Sequence, residues 1–534
     1  MKKFILVIIS FFLGLTSSHT VEYKDIVRVG ISDNSFSNLY YQTITVSATN
    51  DYAVYDKKTS EEIATMQACE PIKIELNNGK LSLYSDTLIK GEIKDAIEIK
   101  TSDNGLLSVQ GLKRGGKQAL YRGKFEIAIA DNGCKGFNLV NILPLESYLR
   151  GVVPNEMPVS FGIEALKAQT IAARNYTLRP RTVIYHNFDV CDSVQSQVYF
   201  GANTENPLSD DAVKKTEGLF ALYDGELILA LYSSTAGGFT ENYENVFLAP
   251  EWDKKPVAAL PYLRGKADKI VELKSDEDVE NFYLKSPESH DIKSRFYRWE
   301  VSWDKKELEE ILKKTLAQNA KSGFVSPKFK VDDFGNLQDI KVVSRGVSGK
   351  AIVIEIQTDK DSFTVRKELI IRKIFKKDSR MLNSANIIIQ KNLDENGNLL
   401  GFTFSGGGFG HGVGMSQFGA GHMAAEGASF DDILQHYYTG IAIGTFPVVL
   451  KNEKITQNFY SPEGKGVLII ENPKNVKNFT FIINNVEINL SQDDLCEKTV
   501  INLDRFIKRE NKIEFLPSEG DGLKVWIEVY RPKI

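Results

Sequence analysis

One change of period constrains the fold more than any other feature of this chain. From Ile26 to about residue 142, short apolar runs alternate with turn residues, as in IVRVGIS, YQTITVSA, PIKIELNNGKLSLYS and KFEIAIADNG, and the pattern predicts strands. The stretch LPLESYLRGVVPNEMPVSFGIEALKAQTIAARNYTL, residues 143–178, then sets Ala165, Ala168, Ala172 and Tyr176 at steps of three and four. No proline falls between Ser160 and Leu178, so this reads as a helix whose small-residue face can approach a neighbour closely. A mainly β chain has to pack around it.

Beyond Pro180 the strand pattern returns in QVYFGAN and GLFALYDGELILALYSSTAGG. Residues 264–325 are strongly charged, read as an insertion, and hold one amphipathic helix, KKELEEILKKTLAQ. A Gly-rich segment, SGGGFGHGVGMSQFGAGHMAAEG, precedes a second helix, SFDDILQHYYTG. After Pro447, apolar runs about ten residues apart suggest a small β-sandwich. The expected class is therefore α+β, mainly β, with one region from 19 to 445 and an accessory sandwich at 446–534.

The N-terminus orders MKK, an apolar FILVIISFFLGL and a small-residue TSS, the layout of a secretory signal over residues 1–18. Its apolar run is short against the roughly 20 residues that a membrane span needs. An extracytoplasmic protein is expected, with an uncleaved anchor as the alternative. The net charge of −4, with no basic run, excludes the usual nucleic-acid surface. Four dispersed cysteines do not make a disulfide scaffold, and no C-x-x-C pair occurs.

Several residues are candidates for chemistry. Glu156 stands among apolar neighbours, which raise a carboxyl pKa toward the value a general acid needs. The proline at 158 places it on an extended stretch ahead of the helix, where a dipole-stabilised surface acid is the plainer reading. Lys167 either faces Glu156 or pairs with Glu164 one turn back. The turn YSSTAGG offers Tyr232, Ser233, Ser234 and Thr235 to a hydroxyl-rich ligand, or to its own turn. The Gly-rich segment fits neither a nucleotide loop nor a G-x-S-x-G elbow around Ser416, but it sets His411 and Gln417 on a backbone that can pass close to a ligand. His186, Cys191 and Asp192 form a loose metal-like group with too few donors for a closed zinc site.

In order, LPLESYLRGVVPNEMP…EALKAQTIAARNY, CDSVQSQVYFG, YSSTAGGFTEN and GFGHGVGMSQFGAGHMAAEG…ILQHYYTG resemble the stage II sporulation protein D (SpoIID/LytB) family from about Ile26 to Ile443. The resemblance implies an exported lytic transglycosylase that cuts peptidoglycan glycan strands between N-acetylmuramic acid and N-acetylglucosamine, preferring strands without stem peptides. It places the catalytic acid on Glu156 and substrate contacts on Lys167, Tyr232, Ser233, Thr235, His411 and Gln417. Some relatives are amidase enhancers, so a non-catalytic glycan-binding role beside a cell-wall amidase is the alternative. Some also hold zinc through a His and two Cys after the helix. Here Ser196 stands where the second Cys is common, so no metal and no cofactor is expected. A serine hydrolase built on Ser416 and His411 is a further alternative.

Overall fold

The computed structural model describes residues 24–532 apart from 87–88, 94, 131–135, 180–184, 250–255, 270, 329–333, 473–475 and 518–521. The signal expected over residues 1–18 lies outside the described residues, as does Cys134. Strands dominate, and helices pack against them, so the molecule is the α+β, mainly β protein that its periodicity suggests.

The chain starts with two sheets. The strand Ile26–Ile31 pairs antiparallel with Phe137–Pro144, and their inward side chains, including Val29, Ile31, Phe137 and Leu139, are fully buried. Phe137–Pro144 runs straight into the helix α1, Leu145–Glu156. A short 3-10 turn, Val159–Phe161, leads to α2, Ile163–Leu178. The chain then returns to the first sheet, where Val190–Cys191 adds in parallel to Ile26–Ile31. That return brings the segment 192–198 back against α1 and α2. At its start Asp192 forms a fully buried ion pair with Arg114, with Oδ1 accepting from both the Ser32 amide and its hydroxyl.

α2 is the hub of this arrangement. Ala165, Ala168, Ala172 and Ala173 are fully buried, and their small side chains let α1 and neighbouring segments close on the helix. Its polar residues face inward too. Arg174 makes a two-pronged pair with Glu146 of α1 at 2.8 and 2.7 Å, and it donates to the Leu219 carbonyl. Asn175 exchanges hydrogen bonds with the backbone of Ala221 and donates to the Ile228 carbonyl. These contacts fix α2 against α1 and the strand Phe220–Tyr223.

Phe220–Tyr223 opens a third sheet that crosses residue 446. Its neighbour Ala442–Gly444 pairs with Lys524–Tyr530, which continues to Val467–Glu471 and Lys498–Asn502. A four-stranded sheet of Ile455–Tyr460, Glu510–Phe515, Phe479–Ile483 and Val486–Leu490 lies with it, and its buried Phe481 and Phe515 belong to the main core.

The middle of the chain has a core of its own. The helix Lys305–Asn319, capped by the Asp304 side chain at the Glu307 amide, buries Leu308, Leu312 and Leu316. They join Phe334, Ile354, Ile356, Phe402 and Phe404 in a second apolar cluster. This body therefore extends well past the charged stretch 264–325, to the strand Leu399–Gly406 that pairs with Trp299–Asp304.

The Glu146–Arg174 pair generates a prediction. Glu146→Ala leaves the buried guanidinium without its carboxylate and should cost roughly 3 kcal/mol in urea unfolding, because an uncompensated buried charge is penalised far more than a surface one. A loss below about 0.5 kcal/mol would mean that the pair does not hold α1 to α2.

Candidate active site

Glu156 is the last residue of α1, and not part of an extended stretch before the next helix as its sequence position suggested. The proline restricts Met157, which adopts φ −129° and ψ 132°, and so it ends the helix one residue after Glu156. The carboxyl therefore sits at the negative end of the α1 dipole, where ionisation is disfavoured. Pro154 is tolerated within the helix, although it lacks an amide proton.

Burial pushes the Glu156 pKa up to about 7, and two hydrogen-bond donors, Val198 and Gln417, offset part of that rise. The Val198 amide donates to Oε1 at 2.6 Å. Gln417 Nε2 donates to the Glu156 carbonyl oxygen at 2.8 Å and reaches Gln169 Oε1 at 3.3 Å. Among the described residues no ionised neighbour contributes to the shift. One carboxyl is thus held near half-protonation at neutral pH by desolvation, with one backbone amide ready to stabilise its anion.

Around it lies a buried polar layer. Gln197 accepts from Tyr148 Oη at 3.2 Å and Thr177 Oγ1 at 2.8 Å, and it donates to Tyr232 Oη at 3.1 Å. Burial, and after it the charge on Glu156, keeps the Tyr232 phenol protonated. Gln169 is fully buried, and its Nε2 has no hydrogen-bond partner among the described residues.

The other expected residues occupy different positions. Lys167 is tied to Glu164 at 2.6 Å and lies over the Phe430 ring. Glu164 in turn accepts from the Phe430 amide at 2.9 Å, so this pair anchors the helix Phe430–Tyr437. Ser233 and Thr235 are buried. Ser233 Oγ accepts from the Gly412 amide, and Thr235 bonds Ser294. His411 Nδ1 accepts from the Val413 amide, which leaves the proton on Nε2 for the Tyr232 carbonyl. Burial, reinforced by the Lys350 and Arg372 charges, pushes His411 down to about 3, so it stays neutral. Gln417 opens the helix Gln417–Ala425 directly behind Glu156.

The Gly-rich segment is a strap threaded through crowded space. Gly414 has φ +72°, and a side chain there would strike the Leu231 carbonyl. A Cβ at Gly419 would collide with the Tyr437 hydroxyl. The strap ends in Met415–Ser416, which pairs in parallel with Tyr232–Ser233 and so brings Gln417 beside α1. Ser416 is buried, hydrogen-bonds the Asp291 carboxylate and caps the helix at the Gly419 amide, which rules out the serine-nucleophile alternative. Asp291 also accepts from the Gly237 and Gly238 amides, so those amides serve the turn itself.

Of the zinc ligands implied by the family resemblance, His186 is exposed and the buried Cys191 thiol contacts the Ser193 and Ser196 hydroxyls, with no second Cys beside it among the described residues; Asp192, the third member of the looser group, is committed to Arg114.

Sequence reasoning missed Val198, Gln197 and Gln169. All three lie in quoted motifs, but an amide that meets a distant carboxylate has no side-chain signature to read.

A model of the Stage II sporulation protein family matches residues 134–223, and a domain of unknown function (DUF8618) matches residues 241–414. The first covers α1, α2 and Val198, and the second contains the body with its own core. Stage II sporulation protein D of Bacillus subtilis (strain 168) is 31% identical over 325 residues, 57% of this chain and 75% of that protein. The amidase enhancer of the same organism is 30% identical over 318 residues, 56% of this chain, and the chain spans 40% of its length. An uncharacterized protein of Brachyspira hyodysenteriae (strain ATCC 49526 / WA1) is 28% identical over 438 residues, 80% of this chain and 95% of that protein.

The raised Glu156 pKa has a measurable consequence. Against an ordinary value of 4.5, the folded state binds the extra proton up to about pH 7, so stability falls as pH rises between those values and the cost is complete above the upper one. Glu156→Gln removes that cost. It should stabilise the protein by on the order of 3 kcal/mol at pH 8 and by almost nothing at pH 4, measured by urea unfolding at both. Equal effects at the two pH values would contradict the shift.

Proposed function

Because the chain belongs to the Stage II sporulation protein D family, we propose that within its cell-wall role it is a lytic transglycosylase acting on peptidoglycan glycan strands, with Glu156 as both acid and base. The observation that supports this is a carboxyl raised to about 7 by burial, with no charged neighbour among the described residues contributing to the shift. Hydrolytic glycosidases use two carboxylates at a set separation, one of them to activate water or attack the sugar. A transglycosylase needs one.

In the proposed reaction, neutral Glu156 gives its proton to the oxygen that links N-acetylmuramic acid to N-acetylglucosamine. The C1–O bond breaks, and the new carboxylate is held by the Val198 amide. That carboxylate then takes the proton from the muramoyl 6-hydroxyl as its oxygen closes on C1. The products are a 1,6-anhydro sugar and a free 4-hydroxyl, no water is consumed, and Glu156 ends protonated again. Gln417 grips the end of α1, and Tyr232 lies near enough to Glu156 to feel its charge.

Strands stripped of stem peptides are the proposed substrate, and the proposed location is outside the cytoplasmic membrane. Among the described residues no helix is long and apolar enough to cross a membrane.

The name of the amidase-enhancing relative favours a second reading, in which the same site binds glycan without cutting it and a cell-wall amidase is the partner. Product analysis separates the two. Glycan strands freed of stem peptides are incubated with wild type and with Glu156→Gln, and the fragments are identified by mass spectrometry. The expected result is anhydro-ended fragments from wild type and a rate about 10²–10⁴-fold lower in the variant. Reducing ends would mean hydrolysis. Intact strands that stay bound to both proteins would favour the enhancer.

A further inference from the structure

Three of the six histidines of the chain converge at one place that the proposed reaction does not use. His422 and Glu426 are four residues apart at the end of the helix Gln417–Ala425, and so share one face. His422 Nε2 lies 3.3 Å from one Glu426 oxygen, and His290 Nδ1 lies 3.6 Å from the other. One donor atom from each of the three residues lies within 4.8 Å of the others. The His290 ring meets His436 edge-on at 5.5 Å and lies 5.9 Å from His422.

Ordinary ion pairing explains the cluster poorly. At 3.6 Å the His290–Glu426 approach is too long for a hydrogen bond. Nδ1 of His290 and Nδ1 of His422 are both shielded from solvent, and neither has a hydrogen-bond partner among the described residues. A buried imidazole nitrogen without a partner is costly, and the orphaned Nδ1 of His290 is the very atom that faces Glu426 beside His422 Nε2, where one ion could satisfy it. Two imidazoles and a carboxylate are donors that a borderline metal ion accepts at about 2.0–2.2 Å. Tetrahedral bonds of that length set donors roughly 3.4 Å apart, close to both distances found.

We propose that His290, His422 and Glu426 bind one divalent transition-metal ion, of the zinc class, with its fourth position open to water on the half-exposed Glu426 side. The surrounding groups suit a support for such a site. The Asp268 carboxylate accepts from the His290 amide at 3.1 Å and from Ser289 Oγ at 2.7 Å, and it lies 3.5 Å from His436 Nε2. It thereby holds the backbone of the ligand segment and lies against His436, which packs on the His290 ring.

The ion would clamp two parts of the chain. His290 comes from the region matched by the domain of unknown function, whereas His422 and Glu426 belong to the helix that starts at Gln417. Asp291, next to His290, already bonds Ser416 at the other end of that helix. A bound metal would hold the helix at both ends and so steady Gln417 against Glu156. No metal is expected from the sequence, because the donors are scattered across segments that only the fold assembles.

The test uses the full chain without an affinity tag, stripped with chelator and titrated with Zn²⁺ alone by calorimetry, and with Co²⁺ for its visible absorption. The expected result is one ion per chain, tetrahedral-type Co²⁺ bands and a rise in Tm on adding Zn²⁺. His422→Ala and Glu426→Gln should each weaken binding about tenfold or more and abolish the Tm rise, whereas Cys191→Ser should leave both unchanged. Glu426 is half exposed, so its variant folds even if the histidine variant does not. Absence of stoichiometric binding by wild type, binding unchanged in Glu426→Gln, or loss in Cys191→Ser would each overturn the site.

Discussion

The packing of α1 against α2 desolvates one carboxyl, and the rest of the site is arranged around that cost. Ionised Glu156 at the end of a helix, with only the Val198 amide and Gln417 as donors, is unfavourable. It persists because packing elsewhere over-determines its position. The alanine face of α2 allows α1 to close on it, Arg174 and Glu146 lock the two helices, and the return of the chain through Asp192 delivers the Val198 amide. No interaction made by the carboxyl itself would keep it there.

The same economy explains the Gly-rich strap. Its glycines have a steric purpose, since at Gly414 and Gly419 a side chain would meet backbone or a tyrosine hydroxyl. That close passage lets Gln417 reach the end of α1 from a segment far along the chain. Between the two halves of the site lies the body with the Trp303–Phe404 core, which folds around its own apolar cluster. It meets the strap at several points, among them Trp299 Nε1 on the Gly408 carbonyl and Asp291 on Ser416, and His290 approaches Glu426 at the end of the next helix.

Much of the architecture was legible in the sequence. The three-and-four spacing of alanines marked α2, found at Ile163–Leu178, and the amphipathic pattern marked Lys305–Asn319. Apolar neighbours suggested a raised pKa for Glu156, and burial is what raises it. The existence of α1 was not legible, because Pro154 and Pro158 discourage a helix and only tertiary packing overrides them. The sequence leaves Ser233 and Thr235 open to a ligand or to their own turn, because the hydroxyls of a turn look alike whether they face solvent or, as here, the interior. Val198, Gln169 and the His290–His422–Glu426 cluster are products of the fold: their partners are distant in sequence, and no local spacing announces them.

The protonation of Glu156 is the claim on which the rest stands, and it can be observed directly. Protein labelled with ¹³C at the glutamate carboxyls can be titrated by NMR, with Glu156→Gln identifying the resonance. The account predicts one carboxyl with a midpoint of about 7, absent from the variant. A Glu156 resonance that titrates near the ordinary value of 4.5 would contradict it.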